Sequence, residues 1–325
     1  MNAVVQIILI PLLAGLLLLI IPERLRTVKG IAALIVSIIT AWLTIRIYGT
    51  GQQFLALAEI TGSPLTSMAG SGFLQEASGF VTFNSDSLSK LIILFISLFA
   101  FLILLYSLVY IKAGRVSNYY PWFLITLGCS YGAVMSDNLL LFLIFWGMLG
   151  ITLYMLLPGH DEESSATAKK TLIMIGASDS IMIIGVAIVW KMTGTLSMNS
   201  LSLPTDTLLA AAAFIALLIG SFTKAGAFPF HTWVPDYARD APASSSALLP
   251  ASLDKLLGIY FLARLTSGIF IPGKWMTLLL LTVGVITIIV AAMMALIQHN
   301  YKRLLGFHAV SQVGYMILGF GLGSV

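Results

Sequence analysis

Charge is what this sequence has least of. Asp, Glu, Lys and Arg make up only 9% of its 325 residues, where soluble globular chains carry about 25%. Hydrophobic residues reach 59%. These figures exclude an ordinary water-soluble enzyme. A single cysteine, Cys129, excludes an internal disulfide framework and a multi-cysteine metal or iron–sulfur site. Alternating polar and apolar strands are also missing: runs such as LLAGLLLLI and LLLFLIFW are continuously apolar, which excludes a porin-type barrel. No Gly-rich phosphate loop, His-Glu-x-x-His zinc motif or nucleophile elbow stands in a credible setting, so no cofactor and no metal site is read. The 13 methionines are scattered through apolar runs, where they fill packing gaps rather than bind copper or haem.

What is present is a series of ten apolar runs, at 3–21, 29–48, 88–111, 118–136, 138–157, 169–190, 207–224, 245–270, 275–297 and 302–321. Each is near the roughly 20 residues needed to cross a bilayer as a helix. The expected fold is therefore an all-α polytopic membrane protein with about ten transmembrane helices. The first run has no basic residues before it and Pro22-Glu23-Arg24 after it, so it reads as a retained helix rather than a signal peptide. The formal charge of +4 would suit nucleic acid in a soluble protein, but here ten of the 17 basic residues lie in alternate connections. These are Arg24, Arg26, Lys29, Lys112, Arg115, Lys169, Lys170, Arg239, Lys302 and Arg303. The positive-inside rule makes those loops cytoplasmic and places the N-terminus outside, in a cell inner (plasma) membrane, with the lipid bilayer rather than nucleic acid as partner. The opposite set holds segment 49–87, the Ser136-Asp137-Asn138 turn, 193–206 and the Pro272-Gly273 turn. Segment 49–87, interrupted by Glu59, Pro64 and Glu76, reads as an external surface hairpin or loop.

Ionisable residues inside the apolar runs carry the functional signal, because a charge in hydrocarbon is costly unless it faces protein or water. Lys224 stands where the helix FIALLIGSFT gives way to AGAFPFHTWVP, and broken backbone at membrane depth is tolerated only in protein or beside a water-filled cavity. The plainer alternative is a helix-end lysine snorkelling to headgroups. Asp179 lies about ten residues into its run, roughly 15 Å deep, and is expected to pair with Lys224 or, failing that, to be a structural acid bonded to Ser178 or Ser180. Asp254 and Lys255 form a second ionisable site; adjacent helical positions diverge by about 100°, so at least one of them addresses another helix. A plain salt bridge is the alternative for this site. His308, followed by Ser311 and Gln312, suits a proton entry or exit, with a helix-packing hydrogen bond as the alternative. His231 in FPFHTW has a weaker case beside an aromatic interfacial anchor, and His160 beside Asp161, Glu162 and Glu163 reads as solvated loop.

The segments FNSDSLSKLIILFI, LYSLVYI, MSDNLLLFLIFWGMLG, FTKAGAFPFHTWVPDYARDAPASSSALL, LGIYFLAR and YKRLLGFHAVSQVGYM resemble the proton-translocating, antiporter-like membrane subunits shared by respiratory complex I, energy-converting membrane-bound hydrogenases and Mrp-type sodium/proton antiporters. The resemblance runs from about residue 80 to the end. It implies inverted five-helix repeats with broken helices and a row of proton-carrying residues. It also implies a division into N-terminal helices with an external loop (1–117), a first five-helix repeat (118–270) and an incomplete second repeat (271–325). Lys224 matches the lysine of the broken helix. Three positions depart from the family pattern. Phe145-Trp146-Gly147 has glycine where the family commonly has glutamate. Pro250 stands where a histidine is often found. Lys255 lies three residues before Gly258 where many relatives place a lysine two before it.

The reading that follows is a proton-translocating, or sodium/proton-antiporting, subunit with no redox site of its own. Lys224 is the central carrier, Asp179 its charge partner, Asp254 and Lys255 the next relay, and His308 part of the onward route. The implied partners are other membrane subunits of a complex I-like, hydrogenase-like or Mrp-like assembly, with or without a peripheral redox module. The competing reading is a non-conducting structural subunit of such an assembly.

Overall fold

The computed structural model describes residues 2–56, 79–111, 116, 118–157 and 162–323. Every one of the ten apolar runs is helical. Among the described residues eight helices are long and apolar enough to cross a membrane, and the other two of the ten runs, Tyr119–Met135 and Leu139–Met155, have 17 residues each. That length is at the short end of what spans a bilayer. The chain divides into two compact units, Met1–Ala113 with Ser117–Thr152, and Gly114–Val116 with Leu153–Val325.

The first unit holds α1 (Ala3–Ile20), α2 (Arg26–Tyr48), α3 (Ser87–Tyr110), α4 (Tyr119–Met135) and most of α5 (Leu139–Met155). Asn2 starts α1 by accepting a hydrogen bond from Val4 N at 3.0 Å, and Asp86 starts α3 in the same way from Ser89 N. With little polar contrast between side chains and lipid, close helix contact comes from small residues and shared hydroxyls. Gly128 on α4 faces Leu12 on α1 so closely that a β-carbon there would fall 2.6 Å from Leu12 Cγ, and Gly15 meets Ile125 in the same way. A chain of buried hydroxyls crosses three helices: Thr44 Oγ1 lies 2.7 Å from Ser97 Oγ, which lies 2.7 Å from Tyr131 Oη. At one end, β1 (Gln53–Ala56) pairs antiparallel with β2 (Thr82–Ser85), and Phe83 bridges to Ser136. Lys90 closes this end by donating to the carbonyls of Thr50 and Gly51. The pair forms the two ends of the expected 49–87 hairpin; Glu59, Pro64 and Glu76 lie outside the described residues, as do Lys112, Arg115, His160 and Asp161. The buried Lys29 contacts Glu23 at 3.1 Å and Asn118 at 2.8 Å, joining the connection before α2 to the start of α4.

The second unit contains α6 (Glu162–Thr193), α7 (Leu208–Ala225), α8 (Trp233–Asp240), α9 (Ala243–Ile269), α10 (Lys274–Leu296) and α11 (Tyr301–Leu322). Two π-turns, Leu249–Leu253 and Leu265–Ile269, lie within α9. The first contains Pro250, which has no N–H to give the helical ladder, and Ser252 Oγ takes up the Ala247 carbonyl at 2.7 Å. Helices α10 and α11 form a hairpin whose backbones meet at glycines: β-carbons at Gly284, Gly314 and Gly321 would each fall within 3 Å of backbone on the facing helix. The short strands β3 (Leu203–Pro204) and β4 (Phe270–Ile271) tie together the two connections at one end. Asn300 caps α11, accepting from Lys302 N at 3.0 Å and Arg303 N at 3.1 Å. Asn300→Ala is expected to cost about 1 kcal/mol, measurable as a small drop in the thermal midpoint in detergent.

Within each unit, the connections sort by end as the basic-residue count predicts. In the second unit Lys170, Arg239, Lys302 and Arg303 gather at one end, and the connections 193–206 and 270–273 meet through β3 and β4.

Candidate functional site

Helix α7 stops at Lys224-Ala225-Gly226. Gly226 adopts φ 81°, a left-handed conformation suited to glycine, and its N–H turns back to Phe222 O at 2.9 Å while Ala227 N reaches the same carbonyl at 2.8 Å. Trp233 Nε1 donates to Thr223 O at 2.8 Å, and Phe228 N donates to Thr287 Oγ1 on α10 at 3.2 Å. Side chains thus meet the freed backbone groups, which is what a helix break at membrane depth requires. The chain resumes as α8 after this interruption, giving the broken helix expected from the sequence.

Lys224 lies in the last turn of α7 with 1% of its side chain exposed. Its position at a helix C-terminus is favourable for a cation, because the carbonyl ends of the backbone dipoles point toward it. Snorkelling to the surface is ruled out by that burial. Facing it from α9, Asp254 is fully buried, and its Oδ1 lies 4.0 Å from Lys224 Nζ. Among the described residues, neither carboxylate oxygen of Asp254 has a hydrogen-bond partner. One turn further along α9, a β-carbon on Gly258 would fall 2.6 Å from Ala225 N, and Ser221 Oγ donates to the Gly258 carbonyl at 2.8 Å. The two helices that carry the acid and the amine are therefore held in direct backbone contact.

The other expected residues take different places. Asp179 is half-buried on α6. Lys255 is half-buried, while Asp254 beside it is fully buried; Asp254 turns to α7, so the second ionisable site read from the sequence merges with the first. His231 lies in the break, 8% exposed, stacked on Phe228 with ring centroids 5.6 Å apart. His308 is on the exposed face of α11, next to the buried Phe307. Gly147 is half-buried on α5, a helix with no acidic residue, and a β-carbon there would meet nothing within 4 Å.

Sequence reasoning missed the facing of Lys224 and Asp254. A signal was available in Asp254-x-x-x-Gly258 and Ser221-x-x-x-Ala225, each of which puts a polar side chain and a small residue one turn apart on one face.

An ionic network closes the basic end of this unit. Asp236 receives Lys170 at 2.7 Å and Arg303 at 3.4 Å; Arg239 binds Asp240 at 2.6 Å and Glu163 at 2.9 Å; Thr167 donates to Asp240 at 2.6 Å. It joins α6, α8 and α11. Such partly exposed pairs contribute little individually, so Asp236→Asn is expected to shift unfolding free energy by less than about 1 kcal/mol and to leave ion flux unchanged, as denaturation and flux assays would show.

The family model described as NADH:quinone oxidoreductase/Mrp antiporter, TM, matches residues 136–325. The chain belongs to this family. It is also 35% identical over 247 residues to a Na(+)/H(+) antiporter subunit of Alkalihalophilus pseudofirmus, covering 74% of this chain and 30% of that protein. It is 32% identical over 248 residues to a Na(+)/H(+) antiporter subunit of Staphylococcus haemolyticus, covering 74% of this chain and 30% of that protein. The chain thus spans about a third of the length of the curated relatives it matches. Its fold is shared with a chain of the Mrp complex from Dietzia sp. DQ12-45-1b (TM-score 0.83, 20% identity, covering 99% of this chain and 34% of that one). It is also shared with a chain of respiratory complex I from Thermus thermophilus (TM-score 0.76, 21% identity, covering 98% and 64%). The polytopic helical architecture of this chain, with its broken helix after Lys224, is that of an antiporter-like membrane protein.

Proposed function

We propose that this chain is a proton-translocating subunit, or part of one, in a multi-subunit membrane assembly of the Mrp or complex I kind, with sodium as the exchanged ion in the antiporting form. The observation that carries this reading is Lys224: a buried amine in the last turn of a broken membrane helix, facing a buried carboxylate. Buried ionisable groups in spanning helices carry desolvation cost and mark ion pathways. Lys224 is the central carrier. Asp254, Asp179 and Lys255 are the neighbouring relay members, His308 belongs to the onward route, and His231 in the break is a further member. The repeat division at 118–270, the plasma-membrane location and an external N-terminus belong to the same proposal, supported by the gathering of basic residues at one end of the second unit. The names of the relatives bring sodium into the reading. The shared fold with complex I and Mrp chains supports neighbouring membrane proteins as partners.

The test is Lys224→Ala in proteoliposomes containing the chain with its partner subunits: partner-dependent proton uptake is expected to vanish while the assembly remains intact. Uptake at the wild-type rate would establish the competing structural role. Sodium dependence of the wild-type flux decides between proton translocation alone and sodium/proton exchange.

A further inference from the structure

Lys224 is a buried amine, and α5 brings no acid to the membrane: Leu139–Met155 contains none, and Gly147 supplies no side chain. We infer that Asp254 on α9 is a counter-charge of Lys224, and that the Gly258–Ala225 contact keeps the two helices close enough for a proton to pass within the pair. This inference rests on the transport reading above and assigns a role inside it.

Four observations support it. Asp254 and Lys224 are 0% and 1% exposed, so neither charge is balanced by bulk water. Among the described residues no hydroxyl or backbone N–H supports either Asp254 oxygen, and the opposed ammonium is the compensation for the carboxylate. The 4.0 Å separation is longer than a hydrogen bond, so the groups face one another without being locked together. The backbones of the two helices are held close, because Ser221 Oγ donates to the Gly258 carbonyl at 2.8 Å and Gly258 has no room for a β-carbon against Ala225 N, so only side-chain motion is needed to close the remaining distance.

The step is a proton transfer with no net charge change. Once side-chain motion brings Nζ within hydrogen-bond distance of the carboxylate, the proton leaves Lys224 Nζ and binds Asp254 Oδ1, converting ammonium and carboxylate into amine and carboxylic acid. The reverse step restores the ion pair. Two further ionisable residues, Asp179 on α6 and Lys255, which follows Asp254 on α9, are half-buried. A lateral push or pull of charge at this point moves the pair between its two forms, and that is how neighbouring charge movement would be converted into a proton transfer.

The experiment compares Lys224→Ala, Asp254→Asn and Asp254→Glu in proteoliposomes of the full chain with its partner subunits. Asp254→Asn is expected to slow proton uptake about tenfold or more, and Asp254→Glu, which keeps the charge, to stay within about threefold of wild type. Infrared difference spectra taken between the resting and energised states should show a carboxylic-acid carbonyl band that Asp254→Asn removes, a readout that a packing role would not move. Wild-type uptake by Asp254→Asn alongside a dead Lys224→Ala overturns this inference and leaves the transport reading standing. Wild-type uptake by both overturns the transport reading itself. Where Asp254→Asn fails to accumulate in the membrane, Asp254→Glu decides: near-wild-type flux supports the pair, and loss equal to that of Lys224→Ala overturns it. Absence of the carbonyl band from wild type overturns the transfer within the pair.

Discussion

Lys224→Ala is expected to reduce proton uptake to the level of protein-free vesicles. The amine faces Asp254 at the end of α7, where the backbone is broken but its freed groups are hydrogen-bonded, so its removal deletes a carrier without removing a helix contact. Stability should fall as well. Taking one partner from a buried ion pair costs about 3–5 kcal/mol, because the remaining charge keeps its desolvation penalty and loses its compensation. These two effects separate in the double variant Lys224→Gln with Asp254→Asn. Removing both charges leaves neither member of the pair as a bare ion, so the thermal midpoint should return toward wild type, whereas proton uptake should stay at zero because neither group can carry a proton. Recovery of flux together with stability would show that Lys224 serves folding and not transport.

Gly258→Val is expected to have the largest effect on stability among substitutions that change no charge. A β-carbon at this position would lie 2.6 Å from Ala225 N, 2.7 Å from Ala225 Cβ and 2.8 Å from Ala225 Cα. Two of these atoms are main chain at the end of a helix, so the strain cannot be relieved by a rotamer change. Overpacking typically costs about 1–3 kcal/mol, and a rigid backbone neighbour puts this site at the upper end. Displacing α9 from α7 would also break the bond from Ser221 to the Gly258 carbonyl and move Asp254 away from Lys224. Thermal denaturation in detergent and proton uptake should therefore fall together. Asn300→Ala, by contrast, should lower stability alone. A Gly258→Val protein with an unchanged thermal midpoint would show that the two helices are free to separate at this point.

Much of the molecule was legible in the sequence. The ten apolar runs became ten helices because a backbone in lipid must satisfy its hydrogen bonds internally, which leaves a run of about 20 apolar residues few alternatives to a helix. The break after Lys224 was legible for a related reason: Gly226 and Pro229 both interrupt the helical ladder, and Trp233 and Thr287 then meet the exposed groups. Basic residues in alternate connections also anticipated which loops meet at each end of a unit, since charge stays where water and headgroups are.

The sequence by itself determined the class, the number of apolar helices, the place of the break and the set of residues able to carry charge inside the membrane. Only tertiary structure decided which charges meet. Asp254 stands 30 residues after Lys224 in the chain, and nothing local relates them, because periodicity gives the face of a helix and not the helix it faces. Their approach depends on the absence of a single carbon at Gly258 and on a backbone turn at Gly226, and these become meaningful only when α7 and α9 are packed together. His308 shows the same limit: its residue type suits a relay, and only packing shows that it lies on the exposed face of α11.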